Sequence, residues 1–113
     1  MAGNDKAGIQ YLAENQLCDG IVSTKSSLIK TAVNLDLMAV QRLFLLDSAA
    51  LKTGKSFLKN NNPDAVEILP GIAAPYFIDH IDKEKLCPVI AGGLIRTEKE
   101  VEDIINKGAL AVS

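Results

Sequence analysis

Aromatic residues are scarce in this chain. They make up 4% of its 113 residues, and tryptophan does not occur. The twelve basic residues are scattered along the sequence and the net charge is -2, so no basic run stands out that would follow a phosphate backbone. With so few rings for base stacking, composition by itself gives little support for nucleic-acid binding.

Cysteine and histidine are also rare. Cys18 and Cys87 are too few and too far apart for a metal site built from paired cysteines. We expect both thiols to be reduced and partly buried, as in a cytoplasmic protein. The single histidine, His80, lies beside acidic residues on a predicted helix, and we assign it no chemistry. The sequence therefore suggests no metal and no cofactor.

Long apolar runs are missing as well. No stretch approaches the roughly 18 residues that a membrane-spanning helix needs, and the N-terminal residues contain no hydrophobic signal region. We therefore expect a protein that is neither secreted nor inserted into a membrane.

What the chain does contain is a regular alternation of short apolar strands and amphipathic helices. The predicted strands cover residues 19–23, 38–46, 65–69, 88–91 and 109–113. Strict alternation predicts an α/β fold with about five parallel strands, either a (β/α) barrel or an open doubly wound sheet. We favour the barrel, because the units are even in length and no Gly-x-Gly-x-x-Gly fingerprint follows the first strand.

An eight-stranded barrel usually needs about 200 residues or more, so residues 1–113 are expected to form a single, partial, TIM-like barrel domain. Its first and last strands would be bare edges. We therefore expect the isolated chain to be unstable, aggregation-prone or a homo-oligomer.

Local patterns predict which side chains face the core. In the third strand Glu67 points away from Val66 and Ile68, because side chains alternate along a strand. Thr97 and Glu100 fit a capping box at the start of the last helix. That helix is expected to turn three apolar residues inward, namely Val101, Ile104 and Ile105.

The candidate site residues lie near the carboxyl ends of the strands, where barrel proteins bind their ligands. They are Lys25, Arg42, Asp47, Glu67, Gly71, Gly92, Gly93 and Arg96. Basic side chains and glycine amides suit a phosphate, and carboxylates suit hydroxyls, so the set fits a small phosphorylated polyol. Alternatively, Arg42 and Glu67 form a structural ion pair inside the barrel. No nucleophile is paired with a base, so the set indicates binding.

Four blocks of the sequence together resemble one known family. They are Asp19-Gly20-Ile21-Val22-Ser23-Thr24-Lys25-Ser26, Val40-Gln41-Arg42-Leu43-Phe44-Leu45-Leu46-Asp47-Ser48, Glu67-Ile68-Leu69-Pro70-Gly71 and Ala91-Gly92-Gly93-Leu94-Ile95-Arg96-Thr97. In this order they resemble the glycerol-3-phosphate-responsive antiterminators, which regulate bacterial glycerol-uptake operons. The resemblance covers essentially the whole chain.

The resemblance implies a TIM-barrel-like regulator, not an enzyme, that binds glycerol 3-phosphate and acts on the leader of a glycerol-metabolism messenger RNA. On this interpretation the phosphate lies against the Gly92 and Gly93 amides and Arg96. Lys25 and Arg42 lie nearby, and Glu67 or Asp47 contacts the hydroxyls.

The family pattern also implies strands before residue 4, one with a His-x-Asp run, and a loop and helix after residue 113, which this sequence lacks. Two other interpretations stay open. One is a barrel enzyme, such as an isomerase or aldolase, that acts on a small phosphorylated substrate. The other is a nonfunctional, truncated barrel.

Overall fold

The computed structural model describes residues 2–16, 19–81, 87–93 and 95–112. Within these residues five helices alternate with five strands. The helices are α1 (Ala2–Glu14), α2 (Ser26–Asn34), α3 (Ser48–Asn61), α4 (Ala74–His80) and α5 (Glu98–Lys107). The strands are β1 (Gly20–Ser23), β2 (Met38–Phe44), β3 (Ala65–Leu69), β4 (Val89–Ala91) and β5 (Ala111–Val112). A short 3-10 turn, Gly71–Ala73, precedes α4.

The strands form one parallel sheet in the order β1-β2-β3-β4-β5. A doubly wound sheet reverses its strand order at a switch point, and this sheet has no such reversal among the described strands. Sequential parallel strands joined by right-handed crossovers carry all their helices on one face, as the wall of a barrel does. The predicted α/β fold with five parallel strands is confirmed, and it is consistent with part of a TIM-like barrel.

The helices cover one face of the sheet. β2 and β3 alternate in burial, and the buried positions of both strands pack with α3, α4 and α5. This main core consists of Leu43, Leu45, Leu51, Leu58, Val66, Ile68, Ala74, Phe77, Ile81, Val89, Ala91, Ile104 and Ala109. A smaller cluster of Ile29, Ala32 and Ala39 joins α2 to the sheet. The apolar residues that recur periodically in the sequence thus form the core between the sheet and the helices.

The opposite face of the sheet is apolar but uncovered by the described residues. Val22, Met38 and Phe44 are each more than half exposed there. In a closed barrel this face points to the interior, where side chains from all strands fill the space. The face therefore matches the interior wall of a barrel.

The predicted orientation of α5 is wrong for two of its three apolar residues. Ile104 is only 2% exposed, whereas Val101 is 36% and Ile105 is 42% exposed. Lys107, on one side of Ile104, forms an ion pair with Asp79 of α4, so that side of α5 faces α4. Val101 and Ile105 lie on the other side of Ile104, where β5 is the last strand that the structure describes.

Two predicted strands are longer than the observed ones by two residues or more. β2 ends at Phe44, two residues earlier than predicted, and the bond from the N–H of Leu45 to the carbonyl of Leu69 at 2.8 Å is its last ladder bond to β3. β5 is limited to Ala111–Val112.

Cys87 is a free, half-buried thiol, as predicted, whereas Cys18 lies outside the described residues. Burial, followed by the nearby negative charge of Asp64, raises the pKa of Cys87 to about 11. The thiol therefore stays protonated and weakly nucleophilic at neutral pH.

In the part of the chain that is described, none of the helices combines the length and the apolar character that crossing a membrane would need.

The start of α5 confirms the predicted capping box. The hydroxyl of Thr97 accepts from the N–H of Glu100 at 3.1 Å, and the carboxylate of Glu100 accepts from the N–H of Thr97 at 3.2 Å and that of Arg96 at 2.7 Å. Three N–H groups at this helix end are thus satisfied by the chain itself.

Replacing the cap should measurably weaken the fold. Thr97→Ala leaves the Glu100 N–H without its acceptor and is expected to lower the free energy of unfolding by about 1 kcal/mol. Thr97→Ser keeps the hydroxyl and is expected to stay close to the unmodified chain. Urea denaturation followed by circular dichroism measures both variants, and equal stability of the alanine variant would show that the box contributes nothing.

Candidate functional site

The carboxyl ends of the strands form the candidate site. Because all described strands are parallel, the loops that follow β1 to β4 lie along the same edge of the sheet, which we call the rim. Six of the eight predicted residues lie in these loops, and two lie within strands. The loop residues are Lys25, Asp47, Gly71, Gly92, Gly93 and Arg96, and the strand residues are Arg42 and Glu67.

An ion pair between two neighbouring strands lies at the centre of this set. Arg42 of β2 and Glu67 of β3 are register partners, and Arg42 Nε lies 2.6 Å from Glu67 Oε1. The glutamate side chain is 14% exposed and the arginine side chain 43%. The structural ion pair between Arg42 and Glu67, which the sequence analysis gave as an alternative, is therefore present. It supplies the partner that a nearly buried carboxylate requires.

The ion pair leaves most of the guanidinium uncommitted. Nε is one of five N–H donors of an arginine, and the other four belong to the two terminal amino groups. Among the described residues, no acceptor contacts those amino groups of Arg42. Arg42 is thus held in place at Nε while its fork-shaped end can bind an anion.

Gly92 lies directly beneath the glutamate. A Cβ built on Gly92 would lie 2.9 Å from Glu67 Oε2 and 3.0 Å from its Cδ. The N–H of Gly92 donates to the carbonyl of Ile68 at 2.9 Å and so belongs to the sheet. Gly92 therefore provides space for the carboxylate, and its amide is already in use.

Gly71 and Gly93 join two neighbouring rim loops. Gly93 has a φ of 76°, in the left-handed region that favours glycine, and its carbonyl accepts from the N–H of Gly71 at 2.9 Å. A Cβ on Gly71 would lie 2.5 Å from Ile95 Cδ1, so a larger residue would push Ile95 away. The N–H of Gly93 donates to no backbone carbonyl among the described residues.

Asp47 and Arg96 both lie at helix starts. Asp47 is the N-cap of α3, and its Oδ1 accepts from the N–H of Ala50 at 2.8 Å. Arg96 is exposed and directly precedes the Thr97 cap of α5. Asp47 therefore has a structural role already, whereas the side chain of Arg96 extends from a self-capped helix end.

Lys25 occupies the N-cap position of α2. Its N–H donates to Ser23 Oγ at 3.1 Å. In contrast to α3 and α5, no side chain caps α2, and its first turn contains no acidic residue. The rim thus brings positive charge from two loops and from β2 to one edge of the sheet.

Gln41 is a residue that the prediction of the site omitted. It is fully buried on the helix side of β2, and its Nε2 donates to the carbonyls of Thr24 at 3.1 Å and Ser23 at 3.3 Å. Gln41 therefore holds the loop that carries Lys25. Its Oε1 has no partner among the described residues. The signal was visible in the sequence as an amide inside an apolar strand.

The chain matches known proteins over nearly all its length. A sequence model of the family described as "Glycerol-3-phosphate responsive antiterminator" matches residues 2–113. The uncharacterized protein YgcP of Escherichia coli (strain K12) is 36% identical over 112 residues, which cover 99% of this chain and 58% of YgcP.

Two solved structures are similar in fold and in sequence. The glycerol uptake operon antiterminator regulatory protein from Listeria monocytogenes aligns with a TM-score of 0.83 and 40% identity, over 96% of this chain and 58% of that one. A glycerol uptake operon antiterminator-related protein from Thermotoga maritima aligns with a TM-score of 0.76 and 35% identity, over 85% and 54%. The chain therefore spans somewhat more than half the length of these relatives.

Sequence and structure agree on the assignment: the chain belongs to the glycerol-3-phosphate responsive antiterminator family.

Proposed function

We propose that this chain is part of a cytoplasmic regulator that binds glycerol 3-phosphate at the rim and acts on the leader messenger RNA of a glycerol-metabolism operon. The observation that carries the proposal is the Arg42–Glu67 ion pair above Gly92, at the carboxyl end of the central strands. Family membership supports the identity of the effector and the regulatory role.

The chemistry of this cluster fits the two ends of the effector. The terminal amino groups of Arg42 can form two parallel hydrogen bonds with a phosphate. Glu67 is fixed beside them by the same ion pair, and a carboxylate accepts hydrogen bonds from hydroxyl groups. Phosphate and hydroxyls would therefore be bound side by side, which distinguishes glycerol 3-phosphate from glycerol.

The other rim residues add charge and donors. Lys25 and Arg96 come from loops at the same edge, and the N–H of Gly93 is the glycine amide that the sheet does not use. One carboxylate oxygen of Asp47 caps α3, and the other can accept a hydrogen bond from a hydroxyl of the ligand. Self-association through the bare edge strands stays a prediction.

A binding role is proposed in preference to catalysis. In the enzyme alternative Glu67 would act as the base, yet its Oε1 is held 2.6 Å from the Arg42 guanidinium. A base must be free to take a proton from its substrate. Turnover of a triose or pentose phosphate that disappears in Glu67→Gln would overturn the choice.

Glycerol 3-phosphate should raise the melting temperature of the chain, whereas glycerol should not. At 100 times its Kd, a ligand that binds only the folded state adds about 2.7 kcal/mol of stability. Arg42→Gln and Arg96→Ala are each expected to remove most of the shift. Lys99→Gln removes an equal charge from exposed α5 and is expected to keep it. A melting curve that millimolar glycerol 3-phosphate leaves unchanged would contradict the proposal.

Gly92→Ala tests whether this glycine acts by making room for Glu67. The new Cβ would press on a carboxylate that Arg42 holds in place, and overpacking of this kind costs about 1–3 kcal/mol of unfolding free energy. In the Glu67→Ala background the same substitution is expected to cost nothing, because the atoms it would strike are gone. Urea denaturation of the four proteins in this cycle measures the coupling.

Gly8→Ala in α1 is the steric control, since a Cβ there meets no atom within 4 Å, and it is expected to stabilise the chain by up to about 1 kcal/mol because alanine favours the helix. If Gly92→Ala costs the same with and without the glutamate, the glycine serves some other purpose.

A further inference from the structure

Three lysines form a row along the exposed side of α3. Lys52, Lys55 and Lys59 are all exposed, and α3 contains no acidic residue. At 3.6 residues per turn they fall within an arc of about 60° and span about 10 Å along the helix. Among the described residues none of the three has an ion-pair partner. We call them the lysine row.

The overall composition does not reveal the lysine row, because acidic residues in other elements offset its positive charge. α5 carries Glu98, Glu100, Glu102 and Asp103 against only two lysines, and the whole chain has a net charge of -2. Charge is therefore segregated between two helices. A local field, more than net charge, determines whether a surface attracts a polyanion.

An exposed aromatic pair lies near the beginning of the row. The ring of Tyr76 is half exposed and lies against the ring of His80, with 4.2 Å between the centroids and 32° between the planes. Tyr76 lines one cleft together with Ser48, the first residue of α3. Ser48 is one helical turn before Lys52 on the same side of α3, so rings and lysines belong to one surface.

The position of the aromatic pair is fixed by the core. A Cβ on Gly54 of α3 would lie 3.5 Å from a ring carbon of Phe77, so the Phe77 side chain of α4 reaches α3 at this point. Phe77 is fully buried. His80 Nδ1 lies 2.7 Å from the carbonyl of Tyr76, which fixes its ring on the exposed side. The relative position of the lysine row and the aromatic pair is therefore set by packing in the core and not by a flexible linker.

We propose that the lysine row and the Tyr76–His80 pair together are the docking surface for single-stranded RNA. This inference rests on the proposed function, because it supplies the surface on which the leader RNA would bind. Lysines neutralise successive phosphates, and an exposed ring stacks with an unpaired base. An acidic protein segment would use the lysines but would gain little from the rings, and so RNA fits both parts better.

The test measures binding of a fluorescent single-stranded oligouridylate of about 16 nucleotides as a function of salt, with glycerol 3-phosphate present. Each phosphate contact contributes about -0.7 to the slope of log K against log salt for single strands. Lys52→Gln/Lys55→Gln should therefore make the slope shallower by about 1.4. Lys30→Gln/Lys99→Gln, at exposed positions of α2 and α5, is the matched control and should leave the slope unchanged.

A second variant separates stacking from charge. Tyr76→Leu keeps an apolar side chain but removes the ring, and it should weaken RNA binding roughly 5- to 100-fold with no change in the salt slope. Circular dichroism melts of all variants, run in parallel, should match the unmodified chain, since the substituted side chains are exposed.

The proposal is overturned if both lysine double variants change the slope equally, or if Tyr76→Leu binds RNA as well as the unmodified chain. Competition with polyglutamate provides a second test. If polyglutamate displaces the RNA at equal charge, and Tyr76→Leu does not change that displacement, the surface binds an acidic protein segment and the proposal is overturned. Thermal shifts with glycerol 3-phosphate are recorded on the same samples. A normal shift without RNA binding overturns the docking surface alone, whereas loss of the shift in the unmodified chain contradicts the proposed effector site.

Discussion

The parallel register between β2 and β3 is the constraint on which the candidate site depends. It places Arg42 opposite Glu67, two residues that are 25 positions apart in the sequence. The register between β3 and β4 aligns Glu67 with Ile90, so that the next residue on the same face, Gly92, lies beneath the carboxylate. A shift of β3 by one residue would turn Glu67 away from Arg42 and toward the helix-covered core, where burying its charge would be costly.

The same register connects the fold to the rim. Parallel strands in sequential order bring every βα loop to one edge, and the hydrogen bonds from Gly71 to Gly93 and from Gln41 to Thr24 fix those loops to their neighbours. Two of the helix starts, those of α3 and α5, are capped by the chain itself. These two helix starts are consequently stabilised by the chain without a bound anion.

Much of the fold could be predicted because its causes are local. Val66 and Ile68 face the core and Glu67 faces away because strand side chains alternate, and Thr97 with Glu100 caps a helix because three residues separate them. Val101 and Ile105 could not be placed correctly, since their exposure depends on which element lies beside α5. Periodicity shows that a helix has an apolar side but not how much of it is covered.

The residue types that lie together at the rim were predictable from the sequence, whereas the contacts that they make were less so. Gly92 was expected to offer an amide, but the sheet uses that amide, and the reason for a glycine there becomes visible only when the glutamate from another strand is in place. The lysine row escaped notice for a similar reason, because its members are separated in the sequence and meet only through the helical period.

A crystal structure of this chain grown with glycerol 3-phosphate tests the central claim most directly. The account predicts electron density for the phosphate within hydrogen-bond distance of the terminal nitrogens of Arg42, with a hydroxyl of the ligand on the Glu67 carboxylate. A ligand bound away from this pair, with Arg42 and Glu67 contacting only each other, would contradict it.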